Sequence, residues 1–239
     1  MKMTFLEQLR RYTWFYRLHT PQELAWAGIF FSQFGEDKFL EAHFYEQKIG
    51  FYVDVGAFHP FAYSNTYLFY RKGWRGINIE PNPTSFPAFL KHRERDTNLQ
   101  LAISQFEGVA TFTSQGTTSG IDDQTHFYRT DTPNASKVSV KTMPLRIVLE
   151  KHLPKDTAID FMSVDCEGHD RTVLESNDWS RFRPRVILCE EHAGRPGSAL
   201  DEYMATQGYA YYLRLHLTKV YLEKQEWAAH LPVGAQPSA

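Results

Sequence analysis

The sequence predicts a doubly wound α/β domain, a mostly parallel sheet with helices on both faces. Two observations carry this. Between residues 48 and 225 short apolar runs alternate with longer stretches of helical character, an alternation that implies parallel strands joined by right-handed crossovers. The runs are also apolar almost throughout rather than at every second position, as in strands covered on both faces. The size agrees: 239 residues, 42% of them hydrophobic, make one ordinary domain with a substantial core.

Each element follows in order. Phe51-Tyr-Val-Asp-Val55 is a buried-strand run closed by Gly56. A helix is expected from Ser64, a suitable N-cap, to Gly73, which suits the position after a helix end. Gly76–Ile79 is the second strand, followed by a helix from Pro83 to about Arg95. Leu99–Ile103 reads as a third strand and Gly108–Thr113 as an alternating one. Val138–Val140 is short and leads into a helix over Leu145–His152. Ala158–Val164 is a long fourth strand of the parallel set, with a helix to about Ser176. Val186–Leu188 is the fifth strand, before a helix near Ser198–Gln207. Strands around Tyr209–Leu215 and Lys219–Leu222 close the fold.

Composition excludes several classes. Lys and Arg number 26 against 28 Asp and Glu, a net charge of −2, so no global field favours nucleic acid. Two Cys are too few for a disulfide scaffold or a four-thiolate zinc site. No apolar run approaches the ~20 residues that cross a bilayer, and charges interrupt any signal-peptide core. A cytoplasmic protein is expected. Residues 1–31 read as a helical appendage, 32–228 as the main domain and 229–239 as a frayed tail. Residues 1–20 carry Lys2, Arg10, Arg11 and Arg17 beside Phe5, Leu6, Leu9, Trp14, Phe15 and Leu18. That pattern suits a helix packed on its own domain, and also one resting on a membrane surface or a partner. Homodimerisation stays open.

In open α/β sheets ligands bind beyond the carboxyl ends of the strands. Here strand one runs into Asp54-Val-Gly-Ala-Phe-His59, strand two into Glu80-Pro-Asn82, strand four into Asp165-Cys-Glu-Gly168 and strand five into Cys189-Glu-Glu-His192. One such acid is an ordinary loop residue; four on one sheet edge point to a site. The turn at Gly56 lacks the spaced glycines of a dinucleotide fingerprint, and no P-loop sequence occurs. Glu80 ends the second strand, where an acid accepts two ribose hydroxyls. One close backbone approach and one ribose-binding acid suit a nucleoside without phosphates, of which S-adenosylmethionine is the commonest. Its sulfonium benefits from nearby carboxylates and aromatic faces, and Phe58 and Trp74 are placed to flank such a site.

Ser32–Asp37, Phe51–Pro60, Ser64–Thr66, Gly73–Pro83, Ile159–Gly168 and Val186–Glu190 resemble, in order and spacing, the FkbM family of S-adenosylmethionine-dependent methyltransferases of the class I Rossmann-like fold. The likeness spans roughly residues 32–192. His169 departs from it, because relatives place another residue after the Glu-Gly pair. The resemblance implies that Asp54, Gly56 and Ala57 form the first cofactor loop and that Glu80, helped by Asn82, holds the ribose. It implies that the Ala102-Ile103-Ser104 turn faces adenine, and that Gln33, Ser64 and Asn65 attend the amino-acid end. It puts Asp165 where methyl transfer occurs. A sugar hydroxyl of a glycan or glycolipid is the implied acceptor, with a polyketide or other small-metabolite hydroxyl, or a cofactor-binding module without catalysis, as alternatives.

Transfer to a hydroxyl needs alignment and a proton acceptor. His169, four residues after Asp165, is a candidate base, with His59 and His192 as others. Asp165, Glu190 and Glu191 would also make an oxygen-rich site for Mg²⁺ or Mn²⁺. Cys166 and Cys189 read as small packing residues at neighbouring strand ends. Gly116–Asp123 reads as a loop that would cover the substrate.

Overall fold

A computed structural model describes residues 30–114, 120–121, 136–192 and 196–230. The chain separates into Met1–Phe30 and Phe31–Ala239, and the described fold belongs to the second unit. The basic N-terminal segment, most of the 116–123 loop and the tail beyond residue 230 lie outside the described residues.

The elements are α1 (Glu36–His43), β1 (Phe51–Val55), α2 (Tyr67–Arg71), β2 (Arg75–Ile79), α3 (Phe86–His92), β3 (Thr97–Leu99), β4 (Ala102–Ile103), β5 (Gly108–Ser114) and β6 (Gly120–Ile121). They continue with β7 (Ser136–Met143), α4 (Leu145–His152), β8 (Phe161–Val164), α5 (Asp170–Glu175), β9 (Val186–Glu190), α6 (Ala199–Thr206), β10 (Tyr209–Leu215), β11 (Thr218–Glu223) and α7 (Lys224–His230). Seven strands form one sheet in the order β10-β11-β9-β8-β1-β2-β3. The central pairs are parallel, and only β11 runs against its neighbours. This is the class I methyltransferase α/β arrangement, with the chain reversing direction across the sheet at β1.

The apolar runs are explained by burial on two sides. In β9, Val186 and Leu188 enter one core with Phe44, Phe69, Trp74 and Phe161. The intervening Ile187 and Cys189 enter the other, with Val53, Ile77, Val148 and Met162. Burying each such side chain contributes roughly 1.5–3 kcal/mol, so no face of a central strand can turn polar cheaply.

Several local expectations shift. The helix expected from Ser64 begins at Tyr67, because the Ser64 hydroxyl accepts from the amides of Thr66 and Tyr67 and caps it from outside. Gly73, at φ 96°, does end that segment. The helix expected over 83–95 is shorter, at Phe86–His92. The third strand is the larger correction. Thr97–Leu99 pairs with β2, whereas Ala102–Ile103 leaves the sheet and pairs with β7 in a second sheet ordered β4-β7-β5-β6. β7 is eight residues long, and its Lys137, Ser139 and Lys141 alternate with the less exposed Val138, Val140 and Thr142, as expected of a sheet with one wet face.

Candidate active site

Register builds the site. Val55 lies opposite Ile79 and Val164, and Val164 opposite Cys189. The next residues, Gly56, Glu80, Asp165 and Glu190, therefore form one row across four strand ends. Above that row is a cavity of about 300 Å³, roofed in part by Phe112 of the second sheet.

Of the expected residues, Gln33, Asp54, Gly56, Ala57, Ser64, Asn65, Glu80, Asn82, Ala102, Ile103, Asp165, His169 and Glu190 all line this cavity. Two do not. Ser104 points its backbone into the β4–β7 pairing, its amide donating to Met143 O. Glu191 turns to Lys219, 2.6 Å away, and accepts from the Ser198 hydroxyl. Alternation at the end of β9 explains this, since Glu190 and Glu191 must leave on opposite sides. The metal set Asp165, Glu190 and Glu191 is thereby broken. Of the flanking aromatics, Phe58 lines the cavity, but Trp74 is buried on the far face against Phe69 and Phe44. His59 is also elsewhere: its Nδ1 accepts from the amide of Ala62 in the turn that follows β1. Cys166 and Cys189 are both free thiols.

Glu80 is held from two sides. Its Oε2 accepts from the Phe58 amide at 2.6 Å and its Oε1 from the Asn82 amide at 2.7 Å. A carboxylate offers about four lone-pair sites, so each oxygen retains one for a further donor. Burial raises its pKa to about 7, opposed in part by the two amides. Phe58 sits in the left-handed region at φ 53°, a conformation costing on the order of 1–3 kcal/mol in a non-glycine residue. Strain is thus stored in the loop that presents its amide to Glu80.

Asp54 leaves β1 toward the α2 side, where the Thr66 hydroxyl donates to it at 2.7 Å; burial raises its pKa to about 6. Asn65 donates to the Ser163 hydroxyl at 2.9 Å, which ties the loop before α2 to β8. Gln33 is set by a clasp around it, in which Asp37 accepts from the Ser32 hydroxyl and the Phe31 amide. Asp165 stands beside Glu190 at the strand ends, and burial together with that neighbouring carboxyl holds it well above the usual carboxylate range. His169 is the N-cap residue of α5 and is buried beside them. Asp170 clips the intervening turn, accepting from the amides of Cys166 and Gly168; burial raises it to about 7.

Gly56, on the cavity wall, also has a packing reason. At φ 78° it is left-handed, and a Cβ there would lie 1.8 Å from the Asp165 carbonyl oxygen. The close approach it permits is between β1 and β8. Gly56→Ala is expected to lower the thermal unfolding midpoint by well over the ~2–4 °C that 1 kcal/mol represents in a domain of this size, or to prevent folding. A midpoint equal to wild type would contradict the packing.

Burial of three acids also fixes the sign of a pH effect. Asp54, Glu80 and Asp170 hold protons at about 6, 7 and 7 in the folded chain, against ordinary values of 3.8, 4.5 and 3.8. An acid raised by folding contributes stability below its unfolded pKa and loses it as pH rises through the folded value. The ligand-free protein is therefore expected to have a higher unfolding midpoint at pH 5 than at pH 8, measured by differential scanning fluorimetry. A rising midpoint over that interval would refute the assignment.

Sequence reasoning did not find Thr66, Ser163, Glu167, Phe112 or Arg93. Arg93 lies within the charged run Lys91-His-Arg-Glu-Arg95, yet its side chain is fully buried and donates to Tyr52, Thr66, Asp96 and the Pro60 carbonyl. No local pattern separates it from its exposed neighbours. Glu167 stood inside a quoted motif without a role; here it lines the cavity from a left-handed turn at φ 53°.

The family model of the methyltransferase FkbM domain matches residues 54–211, which contains every strand end of this site. The chain belongs to the FkbM methyltransferase family. Membership makes S-adenosylmethionine the implied methyl donor of this FkbM domain. No curated protein matches it at a significant level. Among solved structures, the METTL16 MTase domain (crystal form 2) is similar at 14% identity and a TM-score of 0.44, over 77% of this chain and 64% of that one. No helix among the described residues is long and apolar enough to cross a membrane.

Proposed function

We propose that this FkbM domain transfers a methyl group to a hydroxyl oxygen of a sugar in a glycan or glycolipid. The reading is carried by the row of strand ends, where a doubly supported Glu80 and the neighbouring Asp165 and Glu190 open into one cavity. The residues present fit the donor. Two lone-pair sites remain on Glu80 for ribose hydroxyls, Ala102, Ile103 and Phe112 supply apolar wall for a base, and Gln33 and Asn65 offer polar groups for an amino-acid end. Bound S-adenosylmethionine supplies a methyl carbon made electrophilic by its sulfonium.

The protein's own residues do the rest. His169 stands at the cavity wall beside Asp165 as the acceptor for the hydroxyl proton, and Phe58 and Tyr63 present aromatic faces that suit a hydroxylated ring. Positioning of this kind supplies about 7–11 kcal/mol of a displacement barrier. The test uses donor labelled in the methyl group, offered with glycolipids, free oligosaccharides and polyketide alcohols. Label is expected in an alkali-stable ether on the sugar. Label in an alkali-labile ester or on nitrogen would overturn the reading. His169→Asn is expected to lower kcat by about 10²–10⁴-fold, the usual worth of a positioned base, while S-adenosylhomocysteine binds as before.

A further inference from the structure

Two residues with no part in the methyl-transfer reading, Glu167 and His192, meet Glu190 at the cavity edge. Glu190 ends β9, His192 follows two residues later, and Glu167 projects from the turn after β8. The Oε2 atoms of Glu167 and Glu190 are both buried and accept no hydrogen bond. Both lie close to His192 Nε2, at 3.8 and 3.2 Å. One ligand atom from each of the three residues lies within 4.8 Å of the others. The Glu190 side chain is only 9% exposed, and buried carboxylate oxygens without donors are rare in folded proteins.

The spacing has a chemical meaning. Ligand atoms about 2.0–2.2 Å from one cation stand about 3.0–3.5 Å apart in octahedral or tetrahedral geometry; the 3.2 Å pair falls in that range and the 3.8 Å pair lies a little beyond it. The turn is also built to hold Glu167 there. The chain accepts a left-handed non-glycine residue, and Asp170 ties down the amides on either side of it, those of Cys166 and Gly168.

We infer that Glu167, Glu190 and His192 bind one divalent first-row transition-metal ion at the edge of the methyl-transfer cavity. Two carboxylates and an imidazole favour Mn²⁺, Fe²⁺ or Zn²⁺ over Mg²⁺, which prefers oxygen alone. All three residues line the cavity, so the remaining coordination positions are open to an acceptor oxygen, whose proton a bound cation makes easier to remove. That use of the ion rests on the methyl-transfer reading; binding of the ion does not. The set also differs from the one expected from sequence, since Glu191 is engaged by Lys219.

The test is made on the full chain after dialysis against chelator, titrated with MnCl₂ and followed by the electron paramagnetic resonance of free Mn²⁺. One bound equivalent per chain is expected. Glu167→Gln, Glu190→Gln and His192→Gln are each expected to weaken it more than about tenfold, since even outer-shell losses cost that much, whereas Glu191→Gln retains it. Absence of binding, or affinity unchanged in Glu190→Gln, overturns the site. Where a variant fails to fold, electron spin echo modulation of Mn²⁺ on the wild-type chain decides: imidazole nitrogen coupling supports the site and its absence overturns it. Calorimetry with S-adenosylhomocysteine on the same samples separates the two readings. Nucleoside binding without Mn²⁺ binding defeats only the cation site, and the reverse result defeats only the cofactor assignment.

Discussion

Glu80→Ala is expected to weaken S-adenosylhomocysteine binding by about a hundred-fold or more, the largest functional effect of any single change at the cofactor end. A hydrogen bond to a charged group contributes about 1.5–3 kcal/mol, and two ribose hydroxyls would lose their acceptor together. The substitution also releases the amides of Phe58 and Asn82, which Glu80 holds at 2.6 and 2.7 Å, so the loop after β1 loses its anchor. Glu80→Gln does not restore it, because the amide nitrogen would face one of those N–H donors. Isothermal titration calorimetry at pH 8, above the value of about 7 to which burial raises this carboxyl, is the appropriate measurement. An affinity within threefold of wild type would remove Glu80 from the cofactor site.

Arg93→Met is expected to cost about 3–5 kcal/mol of folding stability, the usual loss when one partner of a buried ion pair is removed. Arg93 and Asp96 are both 0% exposed and 2.9 Å apart. Asp96 also accepts from Tyr52, Gly76 and Asn78, so the single variant leaves an uncompensated charge under β1 and β2. The effect reaches the site, because Arg93 donates to the Thr66 hydroxyl and that hydroxyl donates to Asp54. Urea unfolding gives the magnitude, and adding Asp96→Asn should recover part of the loss, since a neutral amide needs no counter-charge. A single-variant loss below about 1 kcal/mol, the range of exposed pairs, would show that the hub carries little.

Much of this arrangement was legible because its causes are local. A run such as Phe51–Val55 or Val186–Glu190 is apolar at successive positions, and only a strand covered on both faces needs that. The acids that end those runs could be placed on one edge of the sheet by topology alone. Ser198 and Asp201 cap α6 reciprocally, a signal three residues wide.

What escaped the sequence depends on partners distant along the chain. The 97–103 segment reads as one strand, yet Leu99 and Ala102 belong to different sheets, because β7, forty residues on, offers Ala102 and Ile103 a ladder. Glu190 and Glu191 look equivalent until the pleat sends one into the cavity and the other to Lys219. Gly56 reads as an opening for a ligand, and the carbonyl of Asp165 adds that a neighbouring strand needs space there too. By itself the sequence determined the layered sheet, its carboxylate edge and the family, because periodicity, composition and motif spacing are properties of contiguous residues. Only the tertiary structure decided which acids converge, that Arg93 is a buried hub and that Glu167 and His192 meet Glu190. Those are properties of strand register and burial, which arise between segments that the chain brings together only when folded.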